Sequence, residues 1–234
     1  MYTENITIKY SDLAPNQKAS VASMLRFFQN AAIAHTSKAG FPLSYLYAQN
    51  RAWILISMNV DFYRMPEDGE NIKITTFAPR FDRVYGYRCF EAEDKDGNII
   101  AKAASLWIFL NTETIRPATV LDEFYEKYGG GDDTGYEFIR REQKFETGPE
   151  SDILKVTKHD IDTNHHVNNV RLEEFAEEAV PEGKEIKKAI IFYRAAFYLG
   201  DNIHICADTE DNTVRVHLVD DDGKSRLSAQ FFIK

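Results

Sequence analysis

The sequence predicts an α+β chain of two tandem modules, each a long helix wrapped by a curved antiparallel sheet. Three observations carry this expectation. An amphipathic helical stripe follows a short polar turn twice, at an offset of 148 residues: Val21, Met24, Leu25, Phe28 and Ala32 mark the first, and Leu172, Phe175, Ala176 and Ala179 the second. Strand-like segments then recur in the same order. Phe62-Tyr63-Arg64 is answered by Phe192-Tyr193-Arg194, and Gly69-Glu70-Asn71-Ile72-Lys73-Ile74 by Gly200-Asp201-Asn202-Ile203-His204-Ile205. Between the copies lies Tyr128-Gly129-Gly130-Gly131-Asp132-Asp133, polar and glycine-rich enough to belong to a connector. The modules are therefore expected at 1–125 and 151–234, joined by a linker at 126–150.

In chain order, residues 5–10 read as a strand, and Ser11-Asp12-Leu13-Ala14-Pro15-Asn16-Gln17-Lys18 as the turn that opens the first helix. After Gly40-Phe41-Pro42 a long strand begins at Ala52-Trp53-Ile54-Leu55 and runs towards Arg64, with further strands expected at 72–80, 83–93 and 99–110. The second module repeats the series at 186–195, 202–208, 213–219 and 225–233. Asp96-Gly97 and Asp222-Gly223 each sit between strand-like runs, where the pair favours a tight hairpin.

The stretch from Asp160 to Asn169 holds two carboxylates, two imidazoles and three carboxamides directly before the second helix. Asp162, Asn164 and His166 alternate, so an extended backbone would present all three on one side. The helix N-terminus at Val167, Asn168 and Asn169 offers N–H groups to an oxyanion. That combination suits hydrolysis of an activated carbonyl. In the first copy the same frame places Asp12 on Asp160 and Asn16 on Asn164, but Ala14 on Asp162 and Lys18 on His166, so the acid and the imidazole are missing there. Glu173, Glu174, Glu177 and Glu178 read as the solvated face of the second helix, with the alternative that one of them approaches the site.

Composition excludes several classes. The chain has 234 residues, 44% hydrophobic and 28% charged, in the range of a folded globular protein. Its formal net charge of −9 argues against nucleic-acid binding. An acidic protein partner would need a local basic patch, for which Arg171, Lys187, Lys188 and Arg194 are the candidates. Cys89 and Cys206 are too few for a disulfide framework, and His159, His165 and His166 match no familiar zinc spacing, so neither metal nor cofactor is expected. No apolar run approaches the roughly 20 residues of a membrane span, and the amino end lacks the features of a signal peptide, which together suggest a cytoplasmic protein. A homodimer is one open outcome.

The segment Asp162-Thr163-Asn164-His165-His166-Val167-Asn168-Asn169 resembles the active-site signature of the fatty acyl-ACP thioesterases of plants and bacteria. The likeness extends to Ala103-Ala104-Ser105-Leu106-Trp107, to Asn111-Thr112-Glu113-Thr114-Ile115-Arg116 and to the strand at Ala52-Trp53-Ile54-Leu55. The resemblance implies a double hot-dog fold and hydrolysis of fatty acyl thioesters carried on acyl carrier protein (ACP), with no cofactor. It implies catalysis by Asp162, Asn164 and His166 in the second module and acyl-chain selection in the first, where Met24, Leu25, Phe28 and Ala32 are the candidate pocket residues. The pattern departs at one place: where relatives carry a water-activating glutamate this chain has Ala196, followed by Phe197. The alternatives are accordingly a weakly active or non-catalytic acyl-binding double hot-dog, and an acyl-CoA thioesterase.

Overall fold

Both amphipathic stripes become helices, and each helix belongs to a unit with its own antiparallel sheet. The structure, a computed structural model, describes residues 1–128, 130–146 and 148–234; Gly129 and Thr147, both in the expected linker, lie outside the described residues. The chain divides into two compact units, Met1–Arg140 and Arg141–Lys234.

Unit 1 runs β1 (Tyr2–Thr7), a 3-10 turn (Tyr10–Asp12), α1 (Val21–Lys38), α2 (Leu43–Ala48), β2 (Arg51–Phe62), β3 (Asn71–Asp82), β4 (Tyr85–Glu93), β5 (Ile99–Asn111), β6 (Arg116–Pro117) and α3 (Asp122–Lys127). Its strands pair antiparallel in the order β1-β3-β4-β5-β2, with β6 on β5. Unit 2 runs β7 (Glu150–Lys155), a 3-10 turn (Lys158–Asp160), α4 (Asn169–Glu177), β8 (Ile186–Tyr193), β9 (Asn202–Glu210), β10 (Thr213–Val219) and β11 (Ser225–Ile233). Its order is β7-β9-β10-β11-β8. Replacing each strand of unit 1 by its counterpart turns one order into the other, so the repeat read from short sequence matches is a repeat of topology.

The local causes are plain in both copies. Ser20 caps α1 by accepting a hydrogen bond from the Ser23 N–H at 3.0 Å. Val21, Met24, Leu25 and Phe28 are buried on the helix face, and Phe28 meets Phe90 of β4 with ring centroids 5.1 Å apart. In β10 Val214, Val216 and Leu218 point inward and are fully buried, the period of two that makes a half-buried strand. The hairpins at Asp94–Asn98 and Asp220–Lys224 are copies: Asp94 accepts from the Asp96 and Asn98 N–H groups, Asp220 from Asp222 and Lys224. Gly97 (φ 82°) and Gly223 (φ 76°) take the left-handed position that each turn requires.

Two expectations change. Helix α4 ends at Glu177, short of the stripe's last residue Ala179, because Pro181 disfavours helical backbone at Val180 just before it. Much of the expected linker is packed on unit 1. The Tyr128 hydroxyl donates to Thr36 Oγ1 at 2.9 Å and its ring stacks on Phe124, Ser57 donates to the Ile139 carbonyl at 2.7 Å, and Phe138 meets Tyr87 edge to face at 5.1 Å. Aromatic residues scattered among the polar ones supply that attachment.

A buried aspartate anchors each 3-10 turn. Asp12 accepts from the Lys9 N–H at 2.9 Å and pairs with Arg26; Asp160 accepts from the Thr157 N–H and Oγ1, both at 2.7 Å, and from Arg171 Nε at 2.9 Å. Asp12→Ala and Asp160→Ala should each lower stability by about 1–3 kcal/mol, the cost of leaving buried donors unpaired, read as a drop in the urea midpoint at constant slope. An unmoved midpoint in both would contradict this account of the turn.

Candidate active site

The chain enters α4 through a tight turn, and this turn, not an extended strand, gathers the polar side chains. The Asp162 N–H donates to the His166 carbonyl at 2.9 Å and the His165 N–H to the Asp162 carbonyl at 3.1 Å, while Ile161 and Val167 form a bridge across the turn. His165 closes it with φ 64°, a left-handed conformation. Alternation along an extended backbone is therefore not what unites Asp162, Asn164 and His166. The short-range tendency of Asp to bind its own backbone two residues on dominates: Asp162 Oδ1 accepts the Asn164 N–H at 2.7 Å and Oδ2 accepts Asn164 Nδ2 at 3.2 Å. His166 Nδ1 lies 3.8 Å from Asp162 Oδ1, beyond hydrogen-bond length but within ion-pair reach.

The first unit holds the same turn. Ala14 N–H donates to the Lys18 carbonyl at 2.7 Å, Gln17 N–H to the Ala14 carbonyl at 3.0 Å, Gln17 has φ 64°, and Leu13 bridges Ala19. Only the second turn carries an acid and an imidazole.

The helix entrance is narrower as an oxyanion site than the sequence suggests. The Val167 N–H is committed to the Phe197 carbonyl and the Asn168 N–H to the Asp160 carbonyl, each at 2.9 Å. Asn168 is the cap, its Oδ1 accepting from the Val170 N–H at 2.9 Å. Of the three expected donors, Asn169, the first residue of α4, keeps the N–H that no backbone carbonyl takes among the described residues.

Beyond Tyr193 the strand has ended, so Ala196 stands in a non-regular segment three residues past β8. Phe197 beside it is fully buried, and its carbonyl anchors the turn. No carboxylate projects from that position.

Helix α4 supplies one instead. Glu173 is 3% exposed, which corrects its reading as part of a solvated face. The Tyr193 hydroxyl donates to its Oε1, and Oε2 is buried with no hydrogen-bond partner among the described residues. Burial pushes the Glu173 carboxyl up to about 8 against the opposing pull of the Tyr193 hydrogen bond, and it holds the Tyr193 phenol well above its ordinary range. The signal was present in the spacing Val170, Glu173, Ala176, which continues the buried stripe through an acid.

The other candidates fall in different places. Met24, Leu25, Phe28 and Ala32 are all buried on α1 in unit 1. Arg171 pairs with Asp160 and Glu174, Lys187 with Glu185 at 2.7 Å and Arg194 with Glu142, so these candidates for docking already face carboxylates. Lys188 lies on β8, half-buried. Cys89 is buried and Cys206 half-buried; both are free, and burial raises both thiols, which suits neither as a nucleophile. No helix of the described residues is long and apolar enough to cross a membrane.

Comparison with known proteins places this geometry in a family. Residues 1–128 match the acyl-ACP thioesterase N-terminal domain and residues 143–231 the acyl-ACP thioesterase C-terminal domain. The chain belongs to the acyl-ACP thioesterase family. Its fold is shared with an acyl-ACP thioesterase from Bacteroides thetaiotaomicron, at TM-score 0.90 and 22% identity over 99% of this chain and 97% of that one. It is also shared with the 12:0-ACP thioesterase from Umbellularia californica, at TM-score 0.85 and 21% identity over 100% and 96%. The fold is thus the tandem hot-dog arrangement that the sequence implied. Among curated relatives, the oleoyl-acyl carrier protein thioesterase 2 of Arabidopsis thaliana is 22% identical over 82% of this chain and 59% of its own length, and the palmitoyl-acyl carrier protein thioesterase of Cuphea hookeriana 23% identical over 83% and 51%. The chain spans between half and three fifths of these two proteins.

The buried acid gives a stability prediction. Its folded value lies above the ordinary carboxylate value of the unfolded chain, so the folded state holds this proton more tightly and the benefit is complete only at acid pH. Stability contributed by Glu173 should be lost as pH rises from about 4.5 through about 8. Glu173→Gln should remove a loss on the order of a few kcal/mol, seen as a flatter dependence of melting temperature on pH across that window. Parallel curves for the two proteins would contradict the buried-acid assignment.

Proposed function

We propose that the protein hydrolyses fatty acyl-ACP thioesters, releasing a free fatty acid and holo-ACP by attack of water at the turn that opens α4. The observation that carries this reading is the Asp162–His166 turn at a helix N-terminus, in a chain whose two halves both match acyl-ACP thioesterase domains. Water adds to the thioester carbonyl carbon, and the oxyanion forms beside the Asn169 N–H, where the helix end favours negative charge. The carbon–sulfur bond then breaks. His166 protonates the departing sulfur, and Asp162 holds the imidazole for that transfer; the 3.8 Å gap is of the kind that closes when substrate binds. Asn164 keeps Asp162 in place by donating to both of its oxygens.

Unit 1 selects the acyl chain in this reading, through the α1 face of Met24, Leu25, Phe28 and Ala32. An acidic carrier docking on Arg171, Lys187, Lys188 and Arg194 would exchange existing ion pairs for new ones, which makes the association salt-dependent. A cytoplasmic setting suits the two free thiols. Ala196 favours a second reading, an acyl-binding protein with feeble or no turnover.

Release of free thiol from a panel of acyl-ACP and acyl-CoA substrates separates these readings. Acyl-ACP should be turned over and preferred; binding without release supports the second reading, and a preference for acyl-CoA changes the carrier. Asp162→Ala and His166→Ala should each reduce turnover about 100-fold with folding intact, and unaltered rates in both would remove the site. Enlarging Ala32 to Leu should shift preference to shorter chains, each excluded methylene forfeiting about 0.8 kcal/mol. The same panel checks this, and an unchanged profile counts against chain selection at α1.

A further inference from the structure

The hydrolysis proposed above needs a base for the attacking water, and the turn does not offer a good one. Both oxygens of Asp162 are engaged by Asn164, and Ala196 has nothing to offer. Glu173 differs from both. One of its oxygens is fixed by the Tyr193 hydroxyl, and the other is buried and unpartnered among the described residues, a costly arrangement unless something else occupies that position. Four residues along α4 from Asn169, about one helical turn, it lies on the same helix face as the first residue of the helix. The segment that ends the sheet strand joins the two features: it begins at Tyr193, which holds Glu173, and reaches Phe197, whose carbonyl holds the Val167 N–H of the turn.

We propose that Glu173 is the catalytic base of this protein, held by Tyr193 so that its open oxygen receives a proton from the attacking water. This rests on the thioesterase reading and names the group it lacks. As the water oxygen bonds to the carbonyl carbon, one water proton moves to Glu173 Oε2. The tetrahedral intermediate collapses, the carbon–sulfur bond breaks, and the sulfur leaves with a proton from His166. The fatty acid loses its own proton to solvent, and the proton on Glu173 returns His166 to its starting state. The groups that act on Glu173 are Tyr193 from β8 and Glu174 and Glu177 from its own helix. The two acids raise its affinity for a proton, as does burial, which puts the base near the working pH of a cell.

The experiment is a pH–rate profile of kcat and kcat/KM on acyl-ACP for the wild type, Glu173→Gln and Tyr193→Phe. Wild-type kcat/KM should show an inflection near pH 8, where the Glu173 carboxyl changes its protonation. Glu173→Gln should lose at least about 100-fold in kcat with KM little changed and no inflection near that pH. Tyr193→Phe, which removes the donor that favours the ionised acid, should move the inflection upward. A folded Glu173→Gln protein with wild-type kcat and profile overturns the proposal and leaves the thioesterase reading standing. If Glu173→Gln does not fold, an inflection that Tyr193→Phe leaves in place overturns it equally. A wild type that releases thiol from no thioester sinks the reading and the proposal together.

Discussion

A buried aspartate at the end of a 3-10 turn fixes the way the chain enters each helix, and the rest of each unit follows from it. Asp160 satisfies the Thr157 backbone and hydroxyl and holds Arg171, while its own carbonyl receives the Asn168 N–H. Asp12 does the same for the first unit, with Ser20 donating to its carbonyl at 3.0 Å. Hydrogen bonds from Thr157 and Arg171 outweigh burial and keep Asp160 ionised below its ordinary value. A turn pinned at both ends leaves its tip free to vary, and the tip is where the two copies differ.

That separation of frame from chemistry explains the distribution of polar residues. The first tip carries Ala14 and Lys18, the second Asp162 and His166, on backbones with the same hydrogen bonds and the same left-handed residue. Unit 1 buries an apolar face, Met24 to Ala32, and a polar cluster around Arg88. There Arg88 is buried beside His35 Nδ1 at 2.9 Å, and burial together with that guanidinium drives the imidazole down to about 3. Unit 2 buries a second acid besides its turn aspartate, Glu173 beside the phenol of Tyr193.

The repeat, the succession of strands and the polar cluster at the helix entrance were legible because each leaves a local mark: Asp-Gly at the hairpins, Phe-Tyr-Arg at the strand ends, the Asp-x-Asn-x-His series before the helix. What escaped depended on neighbours distant in sequence. Glu173 looks like one of four helix glutamates until Tyr193, twenty residues on, is placed over it. The Val167 and Asn168 N–H groups look available until Phe197 and Asp160 supply carbonyls to them. The ion pairs of Arg171, Lys187 and Arg194 with Asp160, Glu174, Glu185 and Glu142 do not show in the sequence either. Phe197, likewise, follows Ala196 in the chain, yet it is a core residue, so a substitution there tests folding before it tests catalysis.

The central claim is that one frame, duplicated, carries the reaction only where its tip bears Asp162 and His166. The most direct measurement writes the first tip onto the second: Asp162→Ala with His166→Lys in one protein, assayed for thiol release from acyl-ACP and for its urea midpoint. The expected midpoint is near that of the wild type, because the buried aspartate and the backbone hydrogen bonds of the turn are untouched, with hydrolysis lost. Retained hydrolysis, or a protein that no longer folds, would contradict it.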